Sequence, residues 1–333
     1  MTYQELINQI IQLREEGLDI FNVGKSTLGK NILATHVGDF SGPQIIIQAG
    51  IHSREWITTL LLVEQARYLH NTEQVKNGGI YFVFLTNPDG TQIALDGIDV
   101  VDCEITRNYL ISANNGSLDF SRYKANINLV DLNTNFDANW GGGSQNVFCP
   151  APENFVGFYP NSEREVQNLI NLTLKNKPLL TISYHSKGNV IYYGFDNESE
   201  QNINRDRQIG ETLSELTGYP LIFTENSTGG YKDWSIDKLT IPAYTIEVGD
   251  DSLSHPLDIE TLPEIYMRNK DVPLTALNLA IEYAKEIDFN EIIVQNNITK
   301  EKKEIKYERN AKGYLARLQS LFERRNSNRS SHS

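Results

Sequence analysis

The sequence predicts an α/β protein with a largely parallel sheet that is covered by helices on both faces. Short apolar runs alternate along the chain with stretches of helical periodicity, as expected when parallel strands are joined by crossover helices. Runs such as Ile45–Gln48 and Ile80–Leu85 are almost continuously apolar, which is typical of strands buried on both faces. The chain has 333 residues, of which 39% are hydrophobic, and this suffices for one large α/β domain or two smaller ones.

The elements of the first part of the chain follow from this periodicity. Apolar residues recur at helical spacing near the N-terminus, and the next segment alternates and contains several glycines. A strand, a helix and another strand follow, and the last strand ends at a strong turn signal. The predicted elements are a helix over 3–16, a hairpin over 19–38, a strand at Ile45–Gln48, a helix over 57–70, a strand at Ile80–Leu85 and a turn at Asn87–Gly90.

The second part begins with a long stretch, residues 91–150, that contains few periodic runs and many Gly, Asn and Asp residues. Such a stretch in a compact domain is usually functional. Regular elements then resume. They are a helix from Ser162 to Asn176 with Ser162 and Glu165 as a capping box, strands at Leu179–Tyr184 and Val190–Tyr193, a helix over 200–217, a strand at Ile241–Val248 and a helix over 263–286.

The composition changes near residue 289, so we expect a catalytic domain over 1–288 and a small extension over 289–333. The segments 292–294 and 300–307 in this extension are predicted to be short strands or a small appendage. The tail from Arg324 to Ser333 is rich in Ser, Asn and Arg and is expected to be disordered.

Charge and cysteine content restrict the function and the compartment. A formal net charge of −13 argues against a surface for nucleic acids or anionic membranes. The sequence starts without a signal-peptide pattern, and no apolar run approaches the ~20 residues that span a membrane, so a cytoplasmic location is predicted. Cys103 and Cys149 lack a metal-type spacing and favour a reducing compartment, although their pairing stays open.

Four residues at or near strand ends have the chemistry of a metal site. His52 and Glu55 follow the strand Ile45–Gln48, and His185 follows the strand Leu179–Tyr184. Glu247 lies inside an otherwise apolar strand, where a carboxylate is costly unless it is paired or functional. Each signal alone is weak, because a surface His–Glu pair or a structural histidine explains most such cases. Together they indicate a joint site, since strand ends in open sheets are where sites assemble.

Two histidines and one glutamate are ligands that zinc accepts in catalytic sites, where one position stays open for water. A second glutamate nearby can take a proton from that water and pass it to the leaving amine. The sequence therefore predicts a hydrolase with one zinc ion per chain, bound by His52, Glu55 and His185, with Glu247 as the general base.

Around these residues the chain resembles the zinc metallocarboxypeptidase family. The resemblance runs from about residue 3 to 285 and implies an eight-stranded mixed, mostly parallel sheet flanked by helices. It also implies that Arg54 contacts substrate beside the metal. Its motifs are Gly50–Trp56, Thr86–Gly90, Val130–Asn133, Ser183–Ser186, Gly229–Trp234 and Thr245–Glu247.

The resemblance further implies an arginine, upstream of Asn133, that stabilises the tetrahedral oxyanion. Arg122 is our choice for this role, and Arg107 is the competitor.

The chain departs from the family at the substrate clamp. Where carboxypeptidases use an Asn-Arg pair to bind the terminal carboxylate, this sequence has Asn133-Thr134. A threonine hydroxyl cannot replace a bidentate guanidinium. The mobile tyrosine of the family is replaced by Glu225, and the nearby Tyr231 is not in register. Ordinary carboxypeptidase activity is therefore not the first expectation.

Lys232 precedes Asp233-Trp234 at a position that lines the floor of the side-chain pocket in the family. An acidic residue there selects basic substrates, so a lysine predicts a substrate group with negative charge. A surface lysine without such a role is the other interpretation.

Four segments, 121–126, 130–133, 228–234 and 246–249, resemble a bacterial branch that includes γ-D-glutamyl-meso-diaminopimelate peptidases. The resemblance implies a peptide substrate, the muropeptide of the cell wall, whose diaminopimelate carboxylate would reach Lys232. Such an enzyme would act in wall-peptide recycling, or on the wall after release from the cell. Two alternatives stay open: a carboxypeptidase that releases acidic C-terminal residues, and a non-catalytic module that retains the fold and the zinc.

Overall fold

The computed structural model describes residues 1–196 and 198–284. Within these residues the strands form one eight-stranded sheet, in the order β1-β2-β4-β3-β5-β8-β6-β7. The strands are β1 (Ile20–Lys25), β2 (Asn31–Gly38), β3 (Gln44–Gln48), β4 (Gly79–Val83), β5 (Leu180–Ser186), β6 (Val190–Tyr193), β7 (Leu221–Phe223) and β8 (Ala243–Val248).

The sheet is mixed, with its parallel part in the centre. Strand β3 pairs in parallel with both β4 and β5, and β5 pairs in parallel with β8. Strands β1 and β2 form the predicted antiparallel hairpin, which joins the sheet through β4. Strand β6 is antiparallel to β8 and parallel to β7. The predicted mixed, mostly parallel sheet is therefore confirmed.

Helices cover both faces of the sheet, as predicted. In β3, Ile45 and Ile47 pack into one apolar cluster with residues of α1, α2, α6, α8 and α9, whereas Ile46 packs into a second cluster with residues of α5 and α7. This alternation is the two-residue period of a strand whose faces are both buried. The helices are α1 (Tyr3–Glu15), α2 (Ile57–Thr72), α3 (Pro88–Asp96), α4 (Glu104–Ala113), α5 (Arg164–Asn176), α6 (Glu200–Thr217), α7 (Tyr231–Leu239), α8 (Leu262–Asn269) and α9 (Val272–Ala284).

The segment Asn87–Gly90 starts a helix and is not only a turn. Asn87 caps α3, because its side-chain oxygen accepts a hydrogen bond from the Gly90 N–H at 3.1 Å. Pro88 lies in the first turn, where its missing N–H costs nothing. Helix α4 was also missed, since Leu110 is its one fully buried side chain and its apolar pattern is correspondingly weak.

Other boundaries differ from the prediction. The capping box at Ser162 and Glu165 is wrong: α5 begins at Arg164, and Glu165 instead accepts a hydrogen bond from the Thr27 N–H at 2.8 Å. The single helix over 263–286 is two helices, α8 and α9. The short strand β7 and helix α7 were not predicted as regular elements.

The predictions for residues 289–333, namely short strands or a small appendage and a disordered tail, lie outside the described residues, and the domain division at 288 stays a prediction. Cys103 and Cys149 are both free and exposed. In the described part of the chain, the helices are all too short or too polar to cross a membrane.

Candidate metal centre and active site

The loop between β3 and α2 brings the first two candidate ligands together. It begins at Gly50, whose φ of +59° is a conformation that favours glycine. A β-carbon at this position would lie 2.5 Å from Leu85 Cδ1. The Glu55 N–H then donates to the His52 carbonyl at 3.1 Å, which closes a turn. The turn lets the imidazole and the carboxylate approach each other.

Asn87 holds this loop in place from the start of α3. Its side-chain amide lies within hydrogen-bonding distance of the Ile51 carbonyl at 3.2 Å, the Ser53 hydroxyl at 3.1 Å and the Ala125 carbonyl at 3.2 Å. The motif Thr86–Gly90 therefore positions the metal loop, and its asparagine also caps a helix.

His52, Glu55 and His185 converge as predicted, and all three side chains are buried. The His52 Nδ1 lies 2.9 Å from one Glu55 oxygen, and the His185 Nδ1 lies 3.1 Å from the other. The two Nδ1 atoms are 3.1 Å apart. The two ring nitrogens and the two carboxylate oxygens thus form a compact group, in which one ligand atom from each residue lies within 4.8 Å of the others.

The chemistry and spacing of this group of atoms fit a zinc ion. Zinc bonds of about 2.0–2.1 Å in a tetrahedron separate neighbouring ligand atoms by about 3.3 Å, close to the observed separations. The Nδ1 atoms of His52 and His185 face each other, so they cannot both carry a proton that points at the same site. Burial raises the pKa of Glu55, but the charges and hydrogen bonds of His52 and His185 hold it well below its usual value. The group is therefore a carboxylate beside two imidazoles.

Each histidine is oriented from its other ring nitrogen. The His52 Nε2 lies 3.1 Å from Asp131 Oδ1, and the other Asp131 oxygen binds the Lys124 ammonium at 2.8 Å. Burial raises the pKa of Asp131, but Lys124 and His52 hold it well below its usual value. With the aspartate charged, His52 donates from Nε2 and keeps the lone pair of Nδ1 for a metal.

His185 has a neutral support. Its Nε2 lies 3.1 Å from the hydroxyl of Ser183, two residues earlier on the same face of β5. The Ser183 oxygen accepts a second hydrogen bond, from the side-chain amide of Gln48. Thr86 in turn donates to the Gln48 side-chain oxygen at 2.8 Å. This chain of uncharged groups also leaves Nδ1 of His185 facing the metal site.

Glu247 lies directly beside His185 in the sheet. The two residues are partners in the parallel pairing of β5 and β8, so their side chains lie on the same face of neighbouring strands. The carboxylate oxygen Oε2 of Glu247 is buried and has no hydrogen-bond partner in residues 1–196 and 198–284. Burial raises the pKa of Glu247 to about 7. A carboxylate with a free oxygen beside the candidate ligands suits proton transfer.

Two arginines, Arg122 and Arg107, are the candidates for stabilising the oxyanion. Their positions differ from that of a third cation, Lys124. The Arg122 side chain is exposed, and its backbone carbonyl accepts a hydrogen bond from Arg54 Nη1 at 3.1 Å. Arg107 lies near Asp99, with 3.9 Å between the charged atoms. Lys124 is instead mostly buried, and its charge acts on both Glu55 and Glu247. The oxyanion role of Arg122 stays a prediction.

Sequence reasoning passed over Lys124. The segment Arg122–Asn126 has a pattern that could have identified Lys124, because polar and apolar residues alternate there before Asp131.

The predicted substrate-binding residues near the pocket already have protein partners. The Asn133 side-chain oxygen accepts from the Tyr231 N–H at 3.1 Å, and the Thr134 hydroxyl donates to the Asp131 carbonyl at 2.9 Å. Lys232 is buried, not on the surface. Its ammonium binds the Gly194 carbonyl at 2.6 Å, the Thr224 hydroxyl at 2.9 Å and Asp233 at 2.6 Å.

Tyr231 cannot act as a mobile tyrosine in this conformation. It is fully buried, stacks on Trp234 and shares a hydrogen bond of 2.7 Å with the Thr173 hydroxyl.

His255 is a second residue that sequence reasoning missed. It lies in the loop after β8 and is half-buried. Burial, followed by the charge of Arg54, lowers the pKa of His255 to about 4. The charges of Glu55, Lys187 and Arg122 also act on it. A neutral imidazole in that position can donate or accept a hydrogen bond.

The fold and this site define a zinc metallopeptidase. The sequence profile of the zinc carboxypeptidase family matches residues 3–269, so the chain belongs to that family. Zinc is accordingly its cofactor, and the cluster of His52, Glu55 and His185 could hold the ion.

Known proteins resemble the chain in sequence or in fold. γ-D-Glutamyl-L-diamino acid endopeptidase 1 of Lysinibacillus sphaericus is 32% identical over 271 residues, which cover 77% of this chain and 66% of that protein. The chain thus spans slightly less than two thirds of this relative. Carboxypeptidase A from Helicoverpa armigera has a TM-score of 0.68 at 20% identity, covering 86% of this chain and 74% of that one.

Murein-tripeptide amidase MpaA from Escherichia coli O157 has a TM-score of 0.50 at 23% identity, covering 78% of this chain and 91% of that one. At such identities, the two solved structures support the fold alone.

Proposed function

We propose that this protein hydrolyses the γ-D-glutamyl-diaminopimelate bond of peptidoglycan stem peptides. The observation that carries this substrate is Thr134, which stands where carboxypeptidases have an arginine and whose hydroxyl is used by the Asp131 carbonyl. A site without that guanidinium lacks the group that selects an ordinary C-terminal carboxylate. The L. sphaericus relative, a γ-D-glutamyl-L-diamino acid endopeptidase by name, supports the same substrate class.

His52, Glu55 and His185 are the proposed zinc ligands, through two Nδ1 atoms and the Glu55 carboxylate. When bound, zinc supplies a Lewis acid that polarises the scissile carbonyl and lowers the pKa of a water molecule. Asp131 and Ser183 keep both imidazoles in the tautomer that offers Nδ1.

Glu247 is the proposed general base. Its free Oε2 takes the proton of the attacking water and then delivers this proton to the amine that leaves. A pKa near 7 suits both halves of this transfer, because the group can accept and release a proton at neutral pH. Lys124 and Arg54 add positive charge near Glu247, where negative charge develops on the substrate oxygen.

Lys232 is the proposed partner of the distal carboxylate of diaminopimelate. In the absence of substrate its charge is balanced by Asp233, 2.6 Å away. A substrate carboxylate would have to compete with Asp233 for the ammonium. The binding gain at this position is therefore expected to be modest, and a peptide with L-lysine in place of diaminopimelate measures it directly.

The test is hydrolysis of synthetic L-Ala-γ-D-Glu-diaminopimelate by the zinc-loaded protein, followed by chromatography of the released diaminopimelate. Glu247→Gln is the matched control, since it keeps the shape of the side chain and removes the base. We expect turnover by the wild type and a loss of about 10²–10⁴-fold in the variant. Absence of turnover, together with release of C-terminal Glu or Asp from α-linked peptides, would contradict the proposal and favour an acidic-residue carboxypeptidase.

The same two proteins, the wild type and Glu247→Gln, also distinguish an enzyme from a non-catalytic binding module. If wild type and Glu247→Gln bind the peptide equally and neither hydrolyses any peptide tested, the chain is a binding module. The free, buried oxygen of Glu247 favours the enzyme, because a module that only binds has no need for an unpaired carboxylate beside the metal ligands.

A further inference from the structure

Positive charge gathers beside the metal loop around His255. The charges of Arg54, Lys187 and Arg122 all act on this imidazole, together with that of Glu55. One contact joins two of these residues, because Arg54 Nη1 donates to the Arg122 carbonyl at 3.1 Å, whereas the Lys187 ammonium binds Asp251 at 2.9 Å. We call these four residues, Arg54, Arg122, Lys187 and His255, the cationic cluster.

The anionic partners of this cluster within the protein are weak. Arg54 is 3.4 Å from Glu153, whose side chain is 51% exposed, and Lys187 pairs with Asp251, whose side chain is 84% exposed. The charge of Arg122 acts on the carboxylate of Asp119, a largely exposed residue. Exposed pairs of this kind contribute little to stability. In a chain with a net charge of −13, such a cluster suggests a ligand with negative charge.

Two buried polar atoms of the cluster have no partner within the described ranges of the chain. They are Arg54 Nε and His255 Nδ1. Buried polar atoms in native proteins are nearly always hydrogen-bonded, so each unpaired one requires an explanation. A guanidinium N–H and a neutral imidazole beside it together match the two oxygens of a carboxylate.

The cluster shares no residue with the group formed by Lys232, Thr224 and Gly194. If that group lies on the amine side of the scissile bond, the cluster is available to the acyl side. An α-linked peptide has no free carboxylate on its acyl residue unless the side chain is acidic. A γ-linked glutamyl residue always has one, because its α-carboxylate is not part of the peptide bond.

We propose that Arg54, Arg122, Lys187 and His255 form a subsite for the free α-carboxylate of a γ-linked glutamyl residue on the acyl side of the scissile bond. This inference rests on the proposed function, and it assigns the recognition of the γ-linkage to one group of side chains.

The test compares two peptides that differ in one group. They are L-Ala-γ-D-Glu-diaminopimelate and the same peptide with D-isoglutamine, whose α-carboxamide has the same size and no charge. Their dissociation constants are measured by calorimetry on the zinc-loaded Glu247→Gln protein, in which hydrolysis does not interfere. We expect the acid to bind about 10- to 100-fold more tightly than the amide.

Three further substitutions, each in the Glu247→Gln protein, identify the side chains that cause the preference for the acid over the amide. Lys187→Gln and His255→Phe are expected to reduce the ratio of the two constants about 10-fold. Arg122→Gln changes an exposed side chain and should leave the fold intact while it lowers the ratio less. Lys76→Gln, at an exposed ion pair with Glu73, is the matched control and should leave the ratio unchanged.

Equal binding of acid and amide overturns the subsite, even if the wild type hydrolyses the γ-linked peptide and the proposed function stands. A preference that survives all three cluster substitutions also overturns it. Conversely, a preference that these substitutions reduce supports the subsite even if no hydrolysis is seen, in which case only the catalytic proposal fails.

Discussion

The two histidines of the candidate metal centre are held in different ways. His52 is oriented by Asp131, a charged side chain that is itself paired with Lys124. His185 is oriented by the Ser183 hydroxyl, at the end of a chain of neutral groups. Both arrangements select the same tautomer. One does so with a buried ion pair and the other does so with hydrogen bonds alone.

The two kinds of support affect different properties of a metal ligand, namely its basicity and its orientation. A carboxylate behind a histidine raises the basicity of the ring and strengthens its bond to a metal, whereas a hydroxyl mainly fixes the orientation of the ring. A buried ion pair is also vulnerable, because the loss of one partner leaves the other charge uncompensated. We therefore expect the His52 side to dominate both metal affinity and the cost of mutation.

The largest effect should come from removing either histidine. His52→Ala and His185→Ala each delete one of three candidate ligands, so zinc content, measured by elemental analysis, should fall from one ion per chain to nearly none. Hydrolysis should fall by at least about 10³-fold with it. His70→Ala, on the last turn of α2, is the control and should retain the metal. Full zinc content in both histidine variants would contradict the predicted site.

The next largest effect should be the loss of stability in Lys124→Met. This substitution leaves the fully buried Asp131 without its ammonium partner, and we expect a loss of about 3 kcal/mol in the free energy of unfolding. Denaturant titration of the protein measures this loss. The double variant Lys124→Met/Asp131→Asn removes both charges and should recover part of the loss. An equal loss in both variants would show that the ion pair is not the cause.

A smaller effect is expected from Asp131→Asn on metal affinity. The amide keeps the shape but lowers the basicity that the carboxylate gives to His52, so zinc should bind about 10- to 100-fold more weakly. Competition with a chromogenic chelator reports the change. Asp237→Asn, on the partly exposed part of α7, serves as the control. Unchanged affinity would mean that the charge behind His52 has no role in metal binding.

The smallest effect should come from Ser183→Ala. His185 loses a neutral hydrogen bond but remains packed in β5, and the zinc affinity should fall by less than about 10-fold. Ser235→Ala, another buried serine, controls for the loss of a hydroxyl from the core. If Ser183→Ala weakens zinc binding more than Asp131→Asn does, the proposed ranking of the two supports is wrong.

Much of the candidate site was predictable because its residues occur in short contiguous motifs. The three residues His52, Glu55 and His185 were identified from their positions after apolar strands, and the structure brings their ligand atoms together. The mixed sheet was likewise expected. Strand periodicity and the residue types required by zinc are local properties, so they can be read directly along the chain.

The surroundings of the site were less predictable. Lys232 was expected to face the substrate, yet its donors bind Gly194, Thr224 and Asp233. The segment around Arg122 offered several cations, and nothing local distinguishes an exposed arginine from a mostly buried lysine two residues later. His255 follows β8 in a loop with no motif that we recognised.

The sequence by itself thus determined the fold class, the candidate metal ligands and the carboxylate beside them, since each depends on residue type and on spacing within one element. Only the tertiary structure decided which cation accompanies Asp131, which polar atoms stay unpaired and where positive charge collects. Those properties depend on distances between segments far apart in the chain. Such distances are set by packing of the whole domain, and no local pattern encodes them.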